Sequence, residues 1–174
     1  MNLKISKLEN ISELREYNVS QEMISENDNY IMYKIMSASN SNPLGVLYHC
    51  MYYLENGKVT PQEIVVNSES YVIEKITLFI PQNNEHMIQL TDFVIDEKLF
   101  LCGIELNECT TDWKGRFLKV VKESSFQWGE HENRLYFILS DSPKHLTMYH
   151  ISTNLKIVVD KYDNIQGFCL FKKE

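Results

Sequence analysis

The chain has 174 residues, is 44% hydrophobic and 24% charged, and carries a formal net charge of −7. That length suits one domain able to bury a core without disulfides or metals, and the composition is that of a globular chain. The negative sign opposes a phosphate backbone, so nucleic acid is excluded as an expected partner, while a basic protein would be attracted.

In chain order, residues 1–29 read as a helical or irregular segment. Ile11, Leu14 and Tyr17 recur at helical spacing, Ser12 and Glu13 offer a helix start, and Val19, Met23 and Ile24 continue the stripe. From Tyr30 the pattern turns to β. Tyr30 to Met36 is aromatic and β-branched, and Leu44 to Leu54 is an apolar run. Asn56-Gly57 then predicts a hairpin that pairs this run with a strand over Val59 to Val66, with Pro61 at an edge or bulge. Tyr71 to Ile80 is the longest β run. Met87 to Glu97 is ambiguous, and Lys98 to Ile104 is a further strand.

The stretch from Glu105 to Asn133 has the weakest pattern. It allows short strands at Leu118 to Val121 and around Phe126 and Trp128, with His131-Glu132 in a polar turn. Beyond it, Leu135, Phe137 and Leu139 alternate along one strand, Leu146 and Met148 along the next, and Leu155, Ile157 and Val159 along a third. Period two predicts a meander with one face buried and one solvated, closed by Ile165 to Phe171. The expectation is a single domain over 1–174, mainly β (α+β): an antiparallel sheet or β-sandwich over 30–174 behind a short N-terminal helix.

The first residues carry charge throughout and lack an apolar signal core, and Leu44 to Leu54 is far too short for a membrane helix. The expected compartment is therefore the cytoplasm, with no membrane partner. Cys50, Cys102, Cys109 and Cys169 are scattered and form no C-x-x-C pair, so they read as small buried residues in a reducing cell.

No catalytic constellation emerges. His145 and His150 are five apart on a strand and so face opposite ways. Ser140, Asp141 and His145 lie in one loop, whereas a hydrolase triad is assembled from distant segments. His49 and Cys50 alternate across a strand. Asp160, Asp163 and Asn164 lack the spacing of a calcium loop and read as a hairpin turn. The six glycines are isolated, with no phosphate-binding loop. The expectation is a protein without enzymatic activity, cofactor or metal. Asp112 and Trp113, with Trp128, Glu130 and Glu132, place large aromatics among acids, a pattern suited to an interface.

Two segments, Ser70 to Pro81 and Leu155 to Phe168, resemble small, acidic, β-rich immunity proteins of bacterial toxin–immunity systems, including those of contact-dependent inhibition. The resemblance implies a cytoplasmic protein that occludes a cognate toxin, often a nuclease; a basic toxin would suit the −7 charge. Two other readings compete. One is a small-molecule-binding or enzymatic β domain with a pocket around His49, Tyr149 and His150. The other is a structural or adaptor domain of a larger assembly.

Overall fold

The computed structural model describes residues 4–10, 16–23, 30–38, 47–52, 62–67, 72–81, 93–105, 110–111, 117–121, 127–138 and 145–171. Among them the protein is β throughout. The strands are β1 (Lys4–Asn10), β2 (Tyr17–Met23), β3 (Tyr30–Ser37), β4 (Leu47–Tyr52), β5 (Gln62–Asn67), β6 (Ile73–Pro81) and β7 (Phe93–Glu105). They continue as β8 (Thr110–Thr111), β9 (Phe117–Val121), β10 (Gln127–His131), β11 (Arg134–Ile138), β12 (Leu146–His150), β13 (Leu155–Val159) and β14 (Ile165–Phe171). No described helix is long and apolar enough to cross a membrane, which says nothing of a barrel.

The strands form two sheets. Sheet I runs β1-β7-β12-β13-β14-β11-β10 and sheet II runs β2-β3-β6-β5-β4-β9-β8. Most pairs are antiparallel, but β12 runs parallel to β7 and β9 runs parallel to β4. One continuous apolar cluster draws residues from both sheets. Tyr33, Ile35, Ile64, Ile76 and Leu78 come from sheet II, and Leu135, Phe137, Leu155, Ile157 and Phe168 from sheet I. The sheets thus pack face to face as a sandwich. The period-two apolar residues of β11 and β13 supply this shared core, as the alternation predicts.

The outer face of sheet I is buried as well. Tyr136, Ile138, Leu146, Met148, Val158 and Cys169 form a second cluster, and every residue of β13 is buried. The expectation of one solvated face therefore fails here, because Ile138, Val158 and Cys169 occupy the positions between the inward-facing residues. The meander also needs correction. β14 does not close the sheet but lies between β13 and β11, and β11 is separated from β12. Strand order depends on long-range pairing, which local periodicity does not encode.

The N-terminal segment is a further correction. β1 and β2 are strands where helix was expected, and Tyr17, read as part of a helical stripe, opens β2. Ile11, Leu14 and Ile24 lie outside the described residues. In β2 only Tyr17 is buried, so the strand has no amphipathic signature and is held by its pairing to β3. The predicted β4–β5 hairpin forms, with Leu47 opposite Asn67 and Tyr52 opposite Gln62; its Asn56-Gly57 turn lies outside the described residues. β7 begins at Phe93, so the ambiguous stretch before Lys98 is also partly strand.

Side chains complete the backbone ladder at three places. Gln62, buried, donates through Nε2 to the Phe79 carbonyl and accepts from the Phe79 N–H at Oε1, so its amide acts as one more rung between β5 and β6. Tyr17 donates its hydroxyl to the Ile73 carbonyl at 2.9 Å across β3. The third place is the β12–β13 turn. Ser152 Oγ donates to Asn154 Oδ1 at 2.7 Å and accepts from the N–H of Leu155, while Asn154 Nδ2 donates to the Tyr17 carbonyl at 2.8 Å. Asn154 thereby bonds sheet I to sheet II at the start of β2. Buried amides of this kind are costly to leave unmade.

Gly167, on β14, faces the outer cluster between Val158 and Ile138. A Cβ there would clash with the carbonyl oxygen of Phe137, and that backbone is locked into the ladder. Gly167→Ala should therefore cost about 2 kcal/mol or more by overpacking. Denaturant unfolding measures the loss; an unchanged midpoint would refute the close approach.

Candidate functional site

The interface expected from sequence falls partly on a β-hairpin. β10 and β11 pair from Gln127 opposite Ile138 to His131 opposite Arg134, which leaves a two-residue turn of Glu132 and Asn133. Both turn residues have positive φ, 49° and 59°. This is the left-handed pair that a tight type I′ turn demands, because its twist matches that of the strands. Asn tolerates this region; Glu does so only at a cost of about 1–2 kcal/mol. The turn is therefore short, fixed and strained at Glu132.

The hairpin has a buried root and a polar tip. Trp128 pairs with Phe137, is 6% exposed and belongs to the shared core, and Gly129 is buried opposite Tyr136. Glu130, His131, Glu132 and Asn133 are all exposed. His131 Nε2 lies 3.6 Å from Glu132 Oε1, an open pair that contributes little.

Arg134 steadies the root. Its guanidinium bonds Tyr136 and lies 4.9 Å over the Phe171 ring. The bond to Tyr136 raises the Arg134 pKa from its ordinary value. Lys156 Nζ sits 5.1 Å from the centroid of the same ring. Cys169 lies between Lys156 and Tyr136 on the sheet, and burial pushes its thiol up to about 11 against the opposing pull of Lys156. Burial likewise raises the Tyr136 hydroxyl. A thiol so far above neutrality stays protonated and is a poor nucleophile, so this row braces the hairpin.

Of the expected interface residues, Glu130 and Glu132 come together at the exposed tip. Trp128 is a correction: it is a core residue that anchors the hairpin from below, because β10 alternation turns it toward Phe137. Its indole Nε1 is buried with no hydrogen-bond partner among the described residues. Asp112 and Trp113 lie outside the described residues. What sequence reasoning missed is Arg134 and its bracing by Tyr136 and Phe171: Tyr136 lies two residues along β11 on the same face, and the β11–β14 register sets Phe171 opposite Arg134.

The other candidates resolve as follows. Tyr149 pairs with Ile157 and packs on the shared core, whereas His150 pairs with Lys156 on the opposite face. The two therefore point to opposite faces of β12 rather than converging; the His49 side chain is not among those described. His145 precedes β12 at φ 55° and is exposed. Residues 139–144 lie outside the described residues.

Asp160 spends its carboxylate on its own turn. It accepts from the N–H of Tyr162 and of Asn164, from Asn164 Nδ2 and from Gln166 Nε2. Desolvation raises the carboxyl, but these donors outweigh it and hold the pKa below its ordinary value. The hairpin-turn reading of Asp160 to Asn164 is thus the observed one. Among the described residues, no group of His, Cys, Asp and Glu could hold a metal ion.

Against known proteins, the sequence matches no protein-family model and no curated protein.

Relieving the turn tests its strain. Glu132→Gly should raise unfolding stability by about 0.5–1 kcal/mol, since glycine enters the left-handed region freely. A lower denaturation midpoint would contradict the strained turn.

Proposed function

We propose that this is a non-enzymatic binding protein that presents the acidic β10–β11 tip to a basic protein, in the manner of a cytoplasmic immunity protein neutralising a cognate toxin. The observation that supports the reading is the exposed Glu130–Glu132 tip on a tight turn whose root is locked in the core by Trp128. A rigid tip loses little conformational freedom on binding, so its charges act without an ordering cost. Two acids on a chain of net charge −7 steer a basic partner toward that edge. Occlusion of an active site or substrate groove by such a tip needs no catalytic group, cofactor or metal from this chain.

The reading predicts a toxin gene beside this one; co-expression with that neighbour should restore growth, and an absent toxin or a failure of rescue would overturn the immunity reading. With the purified pair, Glu130→Lys together with Glu132→Lys should slow association about tenfold or more at low salt and flatten its salt dependence. Unchanged association would remove the tip from the interface.

A further inference from the structure

β2 is an edge strand of sheet II, and every residue from Asn18 to Met23 is exposed. The Ala38 N–H donates to the Glu16 carbonyl at 2.8 Å, so Glu16 directs its backbone groups toward β3. Along an antiparallel ladder this direction alternates. Asn18, Ser20 and Glu22 therefore also point to β3, while Tyr17, Val19, Gln21 and Met23 point away from it. The Tyr17 carbonyl fits this parity, since Asn154 reaches it from the other sheet. Beyond Tyr17, no described strand pairs with the outward backbone groups of Val19, Gln21 and Met23.

Exposed apolar side chains lie along the same edge, Val19 and Met23 on one face and Met36, opposite Asn18, on the other. Four large hydrophobics are exposed among the described residues: Val19 at 36%, Met23 at 62%, Met36 at 50% and Tyr162. Three of these lie on β2 and β3. The edge also lacks the usual defences, for β2 carries no proline and one charge, Glu22. That charge already has a partner within the sheet, Lys34 Nζ at 3.6 Å.

We propose that this edge pairs with the same edge of a second copy, antiparallel about a two-fold axis at Gln21. The sequence around Gln21 is self-complementary in that register. Val19 and Met23 lie two residues to either side of it on one face, so each Val19 meets Met23 of the second copy. The residues brought into reciprocal hydrogen-bonded pairs are Val19, Gln21 and Met23, whose N–H and C=O groups point outward. On the other face, Glu22 falls opposite Ser20 of the second copy, so no like charges oppose each other. The shared edge would make sheet II continuous across the dimer. Three residue pairs make a small interface, so the dimer is weak and concentration-dependent.

The dimer does not rest on the partner-binding reading above, and salt separates the two. Two chains of charge −7 repel, so screening strengthens self-association, whereas it weakens capture of a basic partner. Sedimentation velocity on the full chain, from about 10 μM to about 1 mM, should show the mass rise from 20.5 kDa toward twice that value, more so at high salt. Gln21→Pro removes an outward N–H and spares the bonds to β3. Val19→Lys with Met23→Lys sets cations opposite each other. Both variants should stay at the single-chain mass with unchanged far-UV circular dichroism. If Gln21→Pro fails to fold, the double-lysine variant decides. A wild-type chain at the single-chain mass throughout, association that weakens with salt, or double-lysine variants that dimerise like wild type would each overturn the proposal.

Discussion

The fold depends on the centre of sheet I being buried on both faces. Leu155, Ile157 and Val159 face the shared core, while Val158 and Lys156 on the same strand face the second cluster, and all are buried. A strand buried on both sides cannot shift register by one residue without placing Lys156 in the inter-sheet core, so its pairing is strongly specified. β14 takes its register from β13 on one side and passes it to β11 on the other. The close approach at Gly167 shows how tightly these strands are set. β11 in turn fixes the hairpin at the sheet edge, so the Glu130–Glu132 tip is held by packing that begins three strands away.

Rigidity and openness are therefore distributed unevenly. At the β10 edge, a core tryptophan and the Arg134–Tyr136–Phe171 brace support a short, strained turn. Strain of this kind persists only where the surroundings over-determine it. At the β2 edge the opposite holds. One buried tyrosine and the Asn154 amide fix the start of the strand, and the remainder lies exposed along β3. The first edge suits electrostatic recognition by a preformed tip, and the second suits backbone pairing.

Much of the strand content was legible because inward-facing residues alternate cleanly, as in Leu135 and Phe137 or Leu155, Ile157 and Val159. A polar turn after Trp128 was legible at His131-Glu132, but it lies one residue further on, at Glu132 and Asn133, with His131 closing β10. Three features were not. β2 has a single buried residue, so neither period stands out, and Tyr17 fell by chance into helical spacing with Ile11 and Leu14. Strand order was hidden because the parallel pairs β7–β12 and β4–β9 join segments far apart in the chain. Trp128 looked like a surface anchor because charged residues follow it, although its cross-strand partner Phe137 turns it inward.

Amide hydrogen exchange tests the central claim, that the doubly buried β13–β14–β11 unit is what the rest is built upon. Amides of these three strands should exchange only through global unfolding and share its free energy, while β2 exchanges faster through local opening. β13 or β14 amides that exchange at low cost, or β2 amides as protected as theirs, would contradict the account.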